Sequence, residues 1–467
     1  MNLRQITVEN FGPIKNGTVD LKPLTIFIGP SNSGKSYMST LTYSILNSEN
    51  LRNVFRPRAS SNLRKSIKKE LRALISHNNS DTITVPPDAL QKMYFLIIQE
   101  MFGSHLKQSL ERNFLTSIEN LTRKSTTPAK IKISTFADIV VGLNGNPEID
   151  KIVPPGTECV FKISDHINTF DIIKDESVIT ITVGKKHKRA FFNHHATDLM
   201  IGAMHVELWK NSVPLLTPFY FPASRSGILE TYPETAASIM EDISYSALTN
   251  TDKPIIGGIV TDFITPLITL QRRKTPFFTL AEEMESDVLH GNIGIRIDKG
   301  NLPRILYTFD GNAIPLDSAS SAVSELAPLS IYLKYVVQER NLLIIEEPES
   351  HLHPRAQATL AKYIVKMVRA GLKILVTTHS AFLLAEFGKY VLASRLDEKT
   401  RERLNVETHI TTDEVSSCVF KKNEDGSYSI ERIPFDDENG ISQEEFGRVE
   451  HELYDQWLEV VSNLPKK

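Results

Sequence analysis

The sequence predicts an α/β fold built on a parallel sheet, and three observations carry that prediction. A glycine-bounded loop, Gly29 to Ser36, stands between an apolar strand and a helix. Two near-continuous apolar runs, LLIIEEP from Leu342 and KILVTT from Lys373, are joined by a helical stretch, the pattern of strands covered on both faces. Between the loop and these runs lies a long segment of different periodicity, as an insertion produces.

In chain order, Ile6 to Val8 and Leu24 to Ile28 read as strands and Ser36 to Leu46 as a helix. From Leu51 to about Leu121 the pattern is helical and basic: Arg52, Arg56, Arg58, Arg64, Lys65, Lys68, Lys69 and Arg72 are opposed locally only by Glu70. Residues 158–164 and 177–183 alternate apolar and polar, which predicts antiparallel sheet ahead of the FYFP segment at Phe219. IGIRI from Ile293 and RILYTF from Arg304 are further strands, with Asp310-Gly311 turning towards Ile314. A helix is expected from about Ser324 to Gln338, and another from Ala356 to Ala370, ended by Gly371. SSCVF and SYSIERI pair around Asn423 to Gly426, and an acidic helix through Leu453 and Trp457 follows. These features divide the chain into an N-terminal lobe (1–50), an inserted helical and β-rich region (51–214), a C-terminal lobe (215–415) and a terminal hairpin with an acidic helix (416–467).

With 467 residues, 41% hydrophobic and 23% charged, the chain has material for two or three globular domains. The balance of 53 Lys+Arg against 56 Asp+Glu gives a formal charge of -3, so no global attraction to nucleic acid or acidic membrane is expected. Cys159 and Cys418 are far apart and form no CxxC pair, which argues against a disulfide framework or thiolate zinc site and fits a reducing cytosol. The first residues are polar where a secretory leader needs an apolar run, and no stretch approaches 18 apolar residues; neither a leader nor a membrane span is expected.

Gly29-Pro30-Ser31-Asn32-Ser33-Gly34-Lys35-Ser36 fits G-x-x-x-x-G-K-[ST] in the strand–loop–helix setting that motif needs. Backbone N–H groups of Gly29, Asn32, Ser33 and Gly34, with the positive end of the helix, suit a β-phosphate. Lys35 reaches the β and γ oxygens, and the Ser36 hydroxyl ligates Mg²⁺. A second half of the site is expected at the end of LLIIEEP, where Glu346 holds Mg²⁺ through water and Glu347 orients the attacking water. Thr377-Thr378-His379-Ser380 ends the next strand, so His379 reaches the same edge and suits a γ-phosphate sensor. Ser350 to Pro354 is expected at a subunit contact. Ser320 to Glu325 opens a helix with hydroxyls and N–H groups for an anion.

This order of features resembles the ABC-type ATPase heads, closest to the group of the overcoming-lysogenization-defect proteins, RecF and the structural-maintenance-of-chromosomes (SMC) heads. ASSAVSELAPL, EEPESHLHP and FDDENGISQEEF resemble small antiphage-defence ATPases such as the Septu and PARIS ATPase subunits. The resemblance covers roughly residues 1–47 and 215–467. It implies an ABC-type P-loop NTPase head with an inserted helical and β-rich region. It also implies ATP and Mg²⁺ as ligands, and a head-to-tail dimer in which each ATP lies between one phosphate loop and the partner's signature serines, matched here by Ser320 and best by Ser321. Ala322 stands where the family commonly has glycine, and Glu346-Glu347 where Asp-Glu is usual, which suggests slow turnover. No glutamine stands where a Q-loop would follow a strand; Ser224 and Arg225 do, and Arg225 is read either as a phosphate contact or as a structural ion pair.

His187, His194, His195 and His205, with Asn193, suggest a metal site, but adjacent histidines on a strand point to opposite faces, and a solvated basic hairpin is expected instead. The stretch after His379 carries no Glu followed by paired Asp such as a Toprim nuclease needs. The basic run could contact nucleic acid, or could be a solvated helix, since Phe55 is its one aromatic. Three functions stay open: an ATP-driven sensor in antiphage defence, controlling a separate effector protein, a nuclease; a DNA-binding repair or chromosome-maintenance ATPase; and a scaffold that binds ATP without hydrolysing it. Partners expected are further copies of the chain, the effector, and nucleic acid or a phage protein, with no membrane.

Overall fold

The computed structural model describes residues 5–47, 61–76, 82–123, 129–134, 138–144, 146–152, 158–164, 170–175, 178–184, 196–198, 201, 217–231, 257–297 and 303–464. The histidine-rich stretch with His187, His194, His195 and His205, and the basic residues Arg52, Arg56 and Arg58, lie outside the described residues. The chain forms two compact units, Met1–Thr18 with Ser44–Thr217 and Val19–Tyr43 with Pro218–Lys467.

In the first unit, β1 (Gln5–Phe11), which leads into β2 (Ile14–Asp20), pairs antiparallel with β5 (Ala129–Ser134). That ladder continues through β6 (Asp138–Asn144) and β7 (Asn146–Ile152). A separate sheet runs β4 (Thr82–Thr84), β8 (Glu158–Ser164), β10 (Val178–Gly184), β9 (Phe170–Asp175). β8 and β10 pair in parallel, not antiparallel as the alternation suggested, because a period of two marks a half-buried strand without setting its direction. Helices α2 (Ser61–Ser76) and α3 (Pro87–Phe114) lie in the region read as helical, with β4 between them. α2 buries Leu63, Ile67 and Leu71 at steps of four and leaves Arg64, Lys65, Lys69 and Arg72 exposed. Arg64 pairs with Asp198 at 3.2 Å, so part of this face is neutralised.

The second unit holds five parallel strands in the order β11 (Pro218–Phe221), β15 (Leu342–Glu346), β16 (Lys373–Thr378), β3 (Leu24–Ile28) and β17 (Val415–Lys422), followed by antiparallel β18 (Tyr428–Arg432). Every residue of β3 and β15 is buried, as unbroken apolar runs require. The registers Phe221↔Ile345, Glu346↔Thr377, Thr378↔Ile28 and Ile28↔Val419 align the carboxyl ends of the strands along one edge, where open α/β sheets place ligands. The strand SSCVF, expected in a terminal hairpin, is also a parallel neighbour of β3. Its six leading residues are buried, and burial pushes the Cys418 thiol up to about 12, out of the range of a reactive thiolate.

Helix α1 (Lys35–Leu46), up to Tyr43, and helices α4 (Arg225–Glu230), α5 (Gly258–Ile268), α6 (Phe278–Met284), α7 (Ser321–Tyr335), α8 (Pro354–Arg369), α9 (Ala381–Ala393) and α10 (Glu398–Arg403) belong to this unit, with α11 (Glu444–Ser462) at its end. Ile26, Ile28, Leu343, Ile345, Ile374 and Val376 form its core with Leu360, Ile364, Leu383 and Phe387 from α8 and α9. A small antiparallel sheet, β12 (Asn292–Arg296), β13 (Arg304–Phe309) and β14 (Asn312–Pro315), turns at Asp310-Gly311. Both turn residues have positive φ (47° and 76°), as a type I′ hairpin needs.

Candidate nucleotide site

β3 ends at Ile28 and the chain enters the loop through Gly29, whose φ is 142°. A Cβ there would lie 2.9 Å from the carbonyl oxygen of Phe420 on β17, so the position admits only glycine. Asn32 (φ 60°) and Gly34 (φ 103°) continue the left-handed turns, and Met38 N–H donates to Gly34 O at 2.9 Å as α1 begins. Ser31, Asn32 and Ser36 are exposed; Ser33, Gly34 and Lys35 are buried. Lys35 Nζ donates to Gly29 O and Pro30 O, each at 2.9 Å, so the loop's own carbonyls hold the ammonium. Ser33 Oγ is buried without a partner.

Burial pulls the Lys35 ammonium down to about 8, opposed by the charges of Glu347, Glu349 and Glu346. A triphosphate beside Nζ would favour the protonated form and raise its pKa again. Above pH 8 the free protein holds a neutral Lys35 and the bound protein a charged one, so binding takes up a proton. Nucleotide affinity is therefore expected to be flat below about pH 7 and to fall as pH rises through 8, approaching tenfold per pH unit. Calorimetric titration at pH 8.5 in buffers of different ionisation heat should give an uptake approaching one proton, and no uptake would separate Lys35 from the phosphates.

β15 delivers Glu346 and Glu347 to the same edge. Glu346 Oε2 accepts from Ala223 N–H at 3.2 Å, while Oε1 is buried without a partner. Tyr220, at the end of neighbouring β11, has its hydroxyl 3.4 Å from Thr40 Oγ1; burial and then the Glu346 charge push this phenol well above its ordinary value, keeping it a neutral donor. Glu347 leaves the strand with φ 43°, a left-handed conformation that costs a side-chain-bearing residue about 1–3 kcal/mol. Its N–H donates to Thr377 O (2.9 Å) and Thr377 Oγ1 (3.3 Å), which holds the kink against β16. The Glu347 carboxylate comes 3.6 Å from His379 Nε2. Burial, then the Lys35 charge, lowers the His379 pKa, so the imidazole is neutral at neutral pH, with Glu347 opposing this.

Arg225 is held by protein oxygens. Its side chain is buried, with Nε donating to Glu325 O (2.9 Å), Nη1 to Pro222 O (3.2 Å) and Glu346 O (2.6 Å), and Nη2 to Glu347 O (3.1 Å). Nε also lies 2.9 Å from Glu325 Oε2, and Ser226 Oγ donates to Glu325 Oε1 at 2.6 Å. Of its two expected roles, the structural ion pair is the one this geometry serves: the guanidinium clamps the carbonyls of the residues that carry both carboxylates.

Two acidic residues escaped the sequence reading. One is Glu325, seen there only as the end of a serine-rich helix start. The other is Glu349, whose Oε1 accepts from Thr378 Oγ1 (2.7 Å) and from His379 N–H (2.8 Å), tying the turn after β15 to the end of β16. Burial raises its pKa, and its Oε2 has no partner. A glutamate three residues beyond a strand looks like solvated turn until its neighbours across the sheet are known.

Ser320 caps α7 without a side-chain cap bond, and Ser320 and Ser321 are exposed. In the turn after Glu347, His351 is exposed with φ 61°, Leu352 is buried, and His353 caps α8 by accepting from Arg355 N–H at 3.3 Å. Among the described residues no group of three His, Cys, Asp or Glu is placed to hold a metal by itself. The buried lone oxygens of Ser33 and Glu346, a lysine held only by carbonyls, and glycine where a Cβ would clash do fit a polyphosphate with its divalent cation.

The parallel sheet, the loop between β3 and α1 and the carboxylates ending β15 define a P-loop NTPase fold. The chain belongs to the AAA ATPase domain family, whose pattern matches residues 1–188 and 230–384, and nucleotide binding comes with that membership. Among solved structures it is similar to an Smc head bound to the C-winged helix domain of ScpA, with 11% identity, 93% of this chain and 98% of that one covered, and a TM-score of 0.40. It is also similar to an Smc head domain with an extended coiled coil bound to the C-terminal domain of ScpA, from Pyrococcus furiosus (10%, 97% and 99%, 0.36), and to the SMC head domain of Thermotoga maritima (11%, 93% and 100%, 0.33). No curated protein matches the chain. No helix among the described residues is long and apolar enough to cross a membrane.

Proposed function

We propose that the chain hydrolyses Mg-ATP between two copies of itself and uses the ATP-bound pairing as a switch for a separate effector, a nuclease, in antiphage defence. The observation that carries the hydrolytic reading is the convergence of Lys35, Glu346, Glu347 and His379 at one sheet edge, with Glu347 held in a strained backbone beside His379. Lys35 exchanges its two carbonyl partners for β and γ oxygens. Ser36 and Glu346 would hold Mg²⁺, which would supply charge neutralisation on the phosphates. Glu347 orients the attacking water, and His379 donates to the γ-phosphate through the nitrogen nearest Glu347. Glu349 fixes the backbone of His379, so loss of the γ-phosphate is felt in the turn leading to His351 and His353, at the proposed subunit contact. Ser321, with Ser320, from the second copy closes the site. The defence role rests on the likeness of ASSAVSELAPL, EEPESHLHP and FDDENGISQEEF to defence ATPases.

A mixing experiment tests the shared site. Lys35→Ala and Ser321→Glu should each lose ATP hydrolysis alone. In a mixed dimer one site carries both defects and the other neither, so mixing should restore up to about a quarter of the wild-type rate by random pairing. No recovery on mixing would sink the head-to-tail arrangement.

A second reading, a DNA-binding repair or chromosome-maintenance ATPase, is favoured by the exposed Arg64, Lys65, Lys69 and Arg72 of α2. It requires duplex DNA to stimulate hydrolysis with a steep salt dependence.

A further inference from the structure

α11 is nineteen residues long and none is buried. At 100° per residue, Val449, Leu453, Trp457 and Val460 fall on one stripe that continues to Leu464, and Tyr454, Leu458 and Val461 widen it to about half the circumference. Leu453 (59% exposed), Tyr454 (56%), Trp457 (56%) and Val460 (64%) lie open to solvent, and the Tyr454 and Trp457 rings stack at 5.8 Å. An apolar half-cylinder of this extent on a helix, broken only by Glu450, is an interaction surface; scattered single exposed residues would not be.

Its root is firmly held. The turn before it closes through Asp436 and Gly440, and packs on α9 so tightly that a Cβ on Gly388 would lie 2.0 Å from Asn439 O. Ile441 is buried and Phe446 packs on the core, so the helix projects from a fixed base.

The rim chooses the partner. Glu445, Glu452 and Glu459, spaced by seven, line one edge of the apolar face; Glu444 and Asp455 flank the other, and Glu450 sits within it. Arg448 pairs with Glu445 (3.0 Å) and Glu452 (2.9 Å), which leaves six carboxylates against one arginine. Two copies of α11 packed together would set carboxylate row near carboxylate row, which disfavours self-pairing. An anionic lipid surface would be repelled in the same way.

We propose that α11 docks its apolar face into a hydrophobic groove rimmed by lysine and arginine on a different protein, by helix-in-groove recognition. This goes beyond the nucleotide chemistry and does not depend on it.

The test replaces Tyr454 by the photoreactive p-benzoylphenylalanine in the full chain, expressed in the native host with neighbouring genes intact, and sequences the cross-linked peptide. A peptide of a separate protein, apolar and flanked by several Lys or Arg, is expected. Its yield should fall at least tenfold when Trp457→Glu is added and in high salt, while ATP hydrolysis by Trp457→Glu stays at the wild-type rate. Cross-links to α11 of a second copy, to lipid, or to a groove without basic residues would overturn the proposal, as would no adduct at all. The purified chain gives an independent reading: a native mass that drops to one chain only in Trp457→Glu would make the face a self-interface.

Discussion

Glu347→Gln is expected to bind ATP about as tightly as the wild type and to lower phosphate release by about 10²- to 10⁴-fold, the range a positioned general base contributes. Binding should survive because the proposed mechanism assigns the phosphates and cation to Lys35, Ser36 and Glu346, not to Glu347. The isosteric amide keeps the hydrogen-bond reach of the side chain at its kinked position, 3.6 Å from His379 in the native pair, but cannot take a proton. The ATP-bound state should then persist, and native mass should rise to two chains or whole multiples of two with ATP and stay there. Single-turnover phosphate release measured beside equilibrium ATP binding separates the two effects. A variant that releases phosphate at the wild-type rate would remove Glu347 from the chemistry, and unmeasurable release by the wild type itself would favour the non-hydrolysing scaffold.

Arg225→Met is expected to destabilise the second unit by about 3–5 kcal/mol, because it leaves the Glu325 carboxylate buried without its cation. Both side chains are nearly closed to solvent, 2% and 1% exposed, so little water is available to replace the partner. The change also strips donors from the carbonyls of Pro222, Glu346 and Glu347. Adding Glu325→Leu should recover a good part of the loss, since removing a buried pair together is far milder than breaking it. Denaturant midpoints of the two variants, with the slope compared to confirm similar exposure on unfolding, check this. A change below about 1 kcal/mol accompanied by a large loss of ATP affinity would reinstate Arg225 as a phosphate contact.

The phosphate loop was readable from eight residues because its geometry is local. Gly34 and the start of α1 follow from neighbours in sequence, although the space at Gly29 is set by Phe420 on β17. The apolar strands were readable for a related reason, since burial on both faces leaves no polar positions. Pairing direction in the first unit was not readable, and β8–β10 came out parallel because alternation is blind to direction. Arg225 kept two readings until its neighbours were known: a charged residue after a strand suits an anion or a buried carboxylate equally well, and only the packing of α7 against it supplies Glu325.

What the sequence by itself determined is the α/β class, the nucleotide loop and the strand that carries Glu346 and Glu347, all set by local spacing and burial pattern. What only the tertiary structure decided are the contacts between segments far apart in the chain. Glu349 became the tie from the turn after β15 to Thr378 and His379 because β15 and β16 lie side by side. Arg225 became a clamp because α7 brings Glu325 to it across a hundred residues, and β17 joined the main sheet beside β3. Hydrogen bonds and ion pairs of this kind are set by which elements pack together, and a one-dimensional pattern records the faces of those elements but not their neighbours.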